Sequence, residues 1–254
     1  MNAEYTKYQS MKKINLIPTV VGAAFGMLAL TAASFVNAQS AHQPASVVEL
    51  YSSQGCSSCP PADKFLGELV EDEEILGLTF AVTYWDYIGW KDTFGNKDND
   101  YRQANYKKQF SSRYVYTPQM IVGGTEHKVG SDNHGVRALL KDQAGHARQL
   151  PLTWSFTEDT LQVNLPAGEG NATIWLVDID QSADVDIGRG ENSGRKITYH
   201  NIVRQIRSLG DWDGNAETIS LDLAEMRLSG RNGCALIIQR TGYGPIIAAL
   251  NVKL

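Results

Sequence analysis

Residues 48–63 read Val48-Glu49-Leu50-Tyr51-Ser52-Ser53-Gln54-Gly55-Cys56-Ser57-Ser58-Cys59-Pro60-Pro61-Ala62-Asp63. Ser46–Ser52 carries Val47, Val48, Leu50 and Tyr51 in an apolar run with strand character. Gln54 to Pro61 supplies a turn. From Ala62 to Leu69, the residues Phe65, Leu66 and Leu69 fall on one face of a helix. Proline suits the first helical turn, where its missing N–H has no intrahelical partner to lose. Two cysteines three residues apart therefore sit where a strand hands over to a helix.

That position has chemical consequences. Unpaired N–H groups and the helix dipole stabilise a thiolate at a helix N-terminus. A second cysteine close by can attack a mixed disulfide and release the partner. Cys56 is expected to be the exposed nucleophile and Cys59 the shielded resolving thiol, with Ser57 and Ser58 able to donate hydrogen bonds to a thiolate. A CxxC pair also occurs in zinc sites, but those need a second ligand pair. The only other cysteine is Cys234, far along the chain. A purely structural disulfide is the third reading, weakened because so short a loop restrains the unfolded chain little.

Outward from this turn, Leu78–Trp85 reads as a second strand. A polar insertion follows over residues 86–113, with a helix expected at Tyr101–Phe110. Gln119–Val122 and His127–Val129, split by Gly123-Gly124, read as a hairpin. Val136–Lys141 reads as a closing helix. The order β-α-β-(insertion)-β-β-α predicts an α/β thioredoxin-like domain over residues 46–149. Thr117-Pro118 directly precedes the hairpin; thioredoxin-like proteins have a cis-proline facing the cysteines at this place, so that resemblance implies one here, the alternative being an ordinary strand-start proline.

Beyond residue 150 the texture changes. Leu152–Phe156, Thr160–Leu165, Thr173–Asp178, Ile197–Ile206, Thr218–Leu223, Ala235–Gln239 and Ile246–Val252 read as strands. Seven strands in roughly a hundred residues predict an all-β sandwich of immunoglobulin-like size over residues 150–254. Gln181–Arg195, rich in Gly, Asp, Ser and Asn, reads as a mobile loop.

Residues 1–38 read as an address. Met11-Lys12-Lys13 is followed by an uncharged, largely apolar stretch ending in Val36-Asn37-Ala38. Basic n-region, apolar h-region and A-x-A-like end make a secretory signal peptide. Pro18, Gly22, Gly26, Thr31 and Ser34 dilute the alternative, a membrane anchor. The full chain has 254 residues and a net charge of −5; without residues 1–38, which hold three Lys and one Glu, the charge is −7. An acidic chain of this kind argues against nucleic-acid partners, and no later run is long enough for stable membrane insertion. Export to the periplasm or beyond is expected, an oxidising setting in which cysteine pairs serve as disulfides or exchange thiols.

Three motifs together carry a family resemblance. Val48-Glu49-Leu50-Tyr51-Ser52 leading to Gly55-Cys56-Ser57-Ser58-Cys59-Pro60-Pro61-Ala62-Asp63 is the first. Tyr84-Trp85-Asp86-Tyr87-Ile88-Gly89-Trp90-Lys91-Asp92 and Tyr116-Thr117-Pro118-Gln119-Met120 are the others. They resemble a family of secreted bacterial thioredoxin-like proteins catalogued as a domain of unknown function. The resemblance implies a thioredoxin-like fold and export, and no particular reaction.

Several other residues carry expectations. Glu49 is a carboxylate in an apolar strand near the cysteines and is read either as an acid assisting proton transfer or as a solvent-facing strand-end residue. Trp85 to Trp90 concentrates aromatic side chains at a strand end, as a substrate-groove rim or as a packing cluster. Asp86 and Asp92 read as capping residues. His127, His134 and Met120 are the candidates for a copper site with Cys56 and Cys59, although methionine after a cis-proline is more often packing. His200 reads as a strand histidine and Cys234 as a packed, inert thiol.

The expected function is an exported thiol–disulfide oxidoreductase with catalytic Cys56, Cys59 and Pro118, supported by Thr117, Glu49, Trp85, Ser57 and Ser58. It needs no bound cofactor, only a protein thiol or disulfide substrate and a redox partner protein. The alternatives are a periplasmic copper(I) chaperone and a non-enzymatic binding module on the same scaffold.

Overall fold

The computed structural model describes residues 39–254, and the signal-peptide reading lies outside the described residues. The first half runs β1 (Ser40–His42), β2 (Ser46–Ser52), α1 (Pro60–Leu69), β3 (Ile75–Ala81), α2 (Lys97–Gln109), β4 (Gln119–Val122), β5 (Glu126–Val129) and α3 (Asn133–Asp142). The second half runs β6 (Thr153–Thr157), β7 (Thr160–Leu165), β8 (Ala172–Asp186), β9 (Lys196–Trp212), β10 (Glu217–Asp222), α4 (Leu223–Leu228), β11 (Gly233–Arg240) and β12 (Ile246–Lys253). A short 3-10 turn, Asp86–Ile88, lies between β3 and α2.

β2 is buried along its whole length. It lies parallel to β3 on one side and antiparallel to β4 on the other. Val48 and Leu50 pack against Phe65, Leu66 and Leu69 of α1 and against Leu139 and Leu140 of α3. Val47 and Tyr51 point to the opposite layer, with Phe80, Tyr106 and Ile121. A strand covered on both faces needs apolar side chains on both, so it reads as a continuous run rather than an alternation. At Gly77 of β3 an added Cβ would stand 2.7 Å from Val70 Cγ1 and 2.8 Å from Leu66 Cδ1, so only glycine lets α1 lie this close.

Glu49 shares the α2 side of β2 and is only 1% exposed. Its carboxylate accepts from Arg102 Nε at 2.8 Å and Arg102 Nη2 at 2.7 Å. The hydroxyls of Tyr51 (2.8 Å) and Tyr106 (2.7 Å) donate to it as well. The Arg102 guanidinium lies 5.2–5.6 Å from the ring centres of Phe80, Tyr106, Trp175 and Tyr243. The buried face of α2 is therefore polar, made of Asn99, Arg102, Gln103 and Tyr106. Apolar periodicity undershoots such a helix: it begins at Lys97 rather than Tyr101, with Asn96 Oδ1 capping Asp98 N–H at 2.9 Å.

Nine strands form one mixed sheet in the order β1-β12-β11-β8-β9-β3-β2-β4-β5. All seven strands expected after residue 150 are present, but β8, β9, β11 and β12 continue the sheet of the first half. β9 joins β3 in parallel through Ile202 opposite Thr79. Only β10, β7 and β6 form a separate sheet, and it packs Leu161, Val163, Leu165, Ile219 and Leu221 with Leu176, Leu236 and Leu250. The expectation of a self-contained sandwich is thus corrected. Alternation identifies a strand but not its partner, and Val177, Val203, Ile237 and Ala249 share a core with Tyr51 and Phe80. The sheet runs across the boundary expected at residue 150.

The segment read as a mobile loop, Gln181–Arg195, is also corrected. β8 runs through Asp186, and its pairing with β9 continues from Ser182 opposite His200 to Asp186 opposite Lys196. These two strand ends form an arm packed against α1, where the His200 ring fills the space beside Gly67. The arm's outer residues are exposed, so no apolar pattern marked it.

The buried pair gives a stability prediction. Arg102→Met should lower the unfolding free energy by about 3–5 kcal/mol, because it strands the Glu49 carboxylate in the core. The double variant Glu49→Gln/Arg102→Met should recover part of that loss. Urea unfolding of the single and double variants checks both.

Candidate functional site

β2 ends in a tight turn that delivers Cys56. Gly55 N–H donates to Ser53 Oγ at 3.1 Å and Cys56 N–H to Ser53 O at 3.0 Å. Cys59 takes the N-cap position of α1, with Pro60 and Pro61 in the first helical positions. Ala62 and Asp63 N–H groups donate to Cys59 O at 2.8 and 3.1 Å. The two sulfurs are joined in a disulfide with a Cα–Cα distance of 5.4 Å.

The Thr117–Pro118 peptide is cis. Thr117 Oγ1 donates to Cys56 Sγ at 3.3 Å, and Ser58 Oγ lies 3.4 Å from the same sulfur. Trp85 Nε1–H donates to Thr117 Oγ1 at 2.7 Å. An indole N–H can only donate, so the Thr117 oxygen accepts there and its own proton is left to point at sulfur. Thr117 and Trp85, singled out as groove residues, thus form a relay ending on Cys56. Ser57 and Ser58 are exposed, and Ser58 alone contacts the cysteine.

Cys56 does not match the exposed nucleophile expected of it. It is 1% exposed and Cys59 is 0% exposed. The loop at the tip of the arm, residues 187–195, is bonded to the same turn. Asn192 Nδ2 donates to Gln54 O at 3.0 Å and to Cys56 O at 2.9 Å. The same turn is pinned from the 86–94 segment: Asp92 Oδ2 accepts from Gln54 N–H at 2.7 Å, and Trp90 Nε1–H donates to Gln54 Oε1 at 2.8 Å. Asp92 and Asp86 hold loop N–H groups rather than a helix end: Asp86 Oδ1 accepts from Asp92 N–H at 3.1 Å, and the helix that follows is capped by Asn96. Tyr87 stacks on Trp85 with ring centres 6.4 Å apart and is 80% exposed, leaving an aromatic rim beside the site.

The buried acid of the site is not Glu49. Glu49 is consumed by Arg102, Tyr51 and Tyr106 on the α2 face of the sheet. Asp63 is the acid that sequence reasoning missed, although it lies within the motif. It stands one helical turn after Cys59, on the same face of α1. It is buried, and neither carboxyl oxygen has a hydrogen-bond partner among the described residues. Burial pushes its pKa up to about 7, against the opposing effect of the nearby Ser52 hydroxyl and with a smaller push from the charge of Asp92. The arm brings Tyr199 to this region, where its buried hydroxyl also lacks a partner among the described residues. Burial, and then the charges of Asp63 and Asp92, hold that phenol well above its ordinary range. The available signal was an aspartate one turn past a cysteine on a helix's buried face; nothing in the sequence marked Asn192 or Tyr199.

The residues considered for copper are held elsewhere. Met120 is buried in the core between β4 and the helices α1 and α3. His127 contacts Tyr116 OH at 2.9 Å and Ser112 Oγ at 3.3 Å. Among the described residues no group of three or more His, Cys, Asp or Glu side chains is arranged to hold a metal ion. Cys234 is buried on β11, and burial pushes its thiol up to about 12.

Two solved structures are similar to this chain. A structural-genomics crystal structure of an Agrobacterium tumefaciens protein is 30% identical, with a TM-score of 0.72, over 84% of this chain and 95% of that one. HBP35 of Porphyromonas gingivalis shares the fold at 12% identity, with a TM-score of 0.50, over 82% of this chain and 74% of that one. No curated protein matches. The family described as protein of unknown function DUF1223 matches residues 47–239, which contain the cysteine turn, the cis-proline and Asn192, and the chain belongs to that family.

Proposed function

We propose that this protein is an exported thiol–disulfide oxidoreductase acting on protein thiols. Residues 46–149 would be its thioredoxin-like unit, with the sheet extended by the strands that follow. The observation that carries the reading is the Cys56–Cys59 disulfide at the start of α1, beside Thr117 and cis-Pro118. The signal-like residues 1–38 support export.

The chemistry follows from the groups in place. A substrate thiolate attacks Cys56 Sγ, the Cys56–Cys59 bond breaks, and Cys59 leaves as a thiolate. The positive end of the α1 dipole stabilises that charge. Asp63, whose buried carboxyl is pushed up to about 7, supplies a proton. A second substrate thiolate attacks the mixed disulfide and expels the Cys56 thiolate, which keeps the Thr117 hydroxyl as donor. Two electrons have passed from the substrate dithiol to the protein, and a redox partner protein carries them away. Run backwards, the same steps reduce a substrate disulfide, with Asp63 accepting the proton.

Cys56→Ser should bring thiol-driven insulin reduction down to the uncatalysed background. Equal activity in the variant and the wild type would remove the reading.

Asp63 gives a pH test. Its folded-state pKa lies above its ordinary value of 3.8, so the protonated form stabilises the fold. That contribution is complete below about pH 4 and is lost as pH rises through 7. A shift of this size corresponds to about 4 kcal/mol at most. Asp63→Asn should therefore be the more stable protein at pH 8, by roughly 2–4 kcal/mol. It should also lose the change in exchange rate that the wild type shows near pH 7. Thermal melts and thiol-exchange rates across pH 4–9 check the two halves.

A further inference from the structure

We infer that the 187–195 loop is a gate over the Cys56–Cys59 disulfide and that Asn192 is its latch, so that the disulfide exchanges only with thiols arriving while the latch is released. The biological use of the gate rests on the oxidoreductase reading. The latch itself concerns only access to the sulfur.

Two inward-pointing residues hold the loop down. Ile187 is 2% exposed and sits in a small apolar cluster with Ile197, Tyr199, Ile202, Trp90 and Phe94. Asn192 is 1% exposed, and both of its amide hydrogens are spent on the carbonyls of Gln54 and Cys56. Its Oδ1 has no partner among the described residues, so the side chain is anchored only through those two bonds.

The loop is built to lift as a unit. Ile187 N–H donates to Arg195 O at 2.9 Å, and Gly194 N–H donates to Ile187 O at 2.8 Å. Arg189, Glu191, Ser193 and Gly194 face solvent. The arm beneath the loop is a two-stranded ribbon, and its pairing with the rest of the sheet starts only near Ile202. Lifting the tip breaks the two Asn192 bonds and the Ile187 packing, and leaves the nine-stranded sheet intact.

In the closed form Cys56 is 1% exposed, too little for an attacking sulfur to reach it from solvent. Reduction must then pass through the open form, at a rate set by how often the loop lifts. Removing two hydrogen bonds to buried carbonyls should raise the open population about 5- to 30-fold.

Dithiothreitol is the probe. One of its thiolates attacks Cys56 Sγ, Cys59 leaves as a thiolate, and the second thiol closes the dithiothreitol ring while releasing Cys56. The dithiothreitol is oxidised and the protein reduced. Acid quenching, alkylation and mass spectrometry count free thiols with time. The expected result is that Asn192→Ala is reduced about 5- to 30-fold faster than the wild type at the same dithiothreitol concentration. In the wild type the rate should level off at high dithiothreitol and be indifferent to urea below the unfolding transition, because the opening is local. Equal rates in Asn192→Ala and the wild type would overturn the inference. A wild-type rate that stays linear in dithiothreitol and equals that of the unfolded chain would overturn it without any variant. So would a wild-type rate climbing steeply with urea. Equal insulin reduction by the wild type and Cys56→Ser would remove the oxidoreductase reading and leave the latch standing.

Discussion

The architecture depends on one buried ion pair. β2 is covered on both faces, and its single charge, Glu49, has no water to turn to. Arg102 meets it from α2 with two short hydrogen bonds, and Tyr51 and Tyr106 complete the carboxylate's shell. Gln239 of β11 then accepts from Arg102 Nη2 at 3.1 Å and donates to Tyr106 OH at 2.8 Å. The network therefore ties the strand that delivers the cysteines to the long helix before β4 and to a strand from the second half. Burying such a pair brings little net stability, but breaking it is expensive. This favours an arrangement in which α2 and β11 dock on β2 in one register only.

With β2 fixed, the turn after it is held from three sides. Asp92 and Trp90 hold Gln54 from the segment after β3. Trp85 and Thr117 reach the Cys56 sulfur from the cis-proline side. Asn192 closes over the top from the β8–β9 arm. The strands that read as a separate sandwich thus supply part of the cover of the cysteine site. The second half of the chain therefore contributes a direct contact to the cysteine turn.

What was legible in the sequence was what chemistry restricts to few residue types at short spacing. Cys56, Cys59 and the two prolines at the head of α1 announce a strand-to-helix turn, and Thr117-Pro118 announces the loop facing it. The strands themselves were visible as apolar runs. Their partners were not, because alternation carries no address, and β9 could be placed beside β3 only by the three-dimensional core they share. Glu49 was misread because its partner, Arg102, lies 53 residues away on a helix with a polar buried face. Asp63 was visible but passed over, since an acid in the first turn of a helix is ordinarily a solvated complement to the dipole. Asn192 left no trace: a Gly- and Ser-rich stretch reads as loop whether it waves in solvent or is bonded to the cysteine turn.

The central claim is that Cys56 exchanges disulfides with other proteins and Cys59 resolves them. The most direct measurement is to trap the unresolved intermediate. Cys59→Ser, produced in an exporting bacterial host, leaves Cys56 able to attack but unable to be released by its neighbour. The account predicts discrete covalent adducts joined through Cys56, which dissolve under reductant and are missing from the Cys56→Ser/Cys59→Ser double variant. A Cys59→Ser protein that stays free of adducts, with Cys56 unmodified, would contradict it.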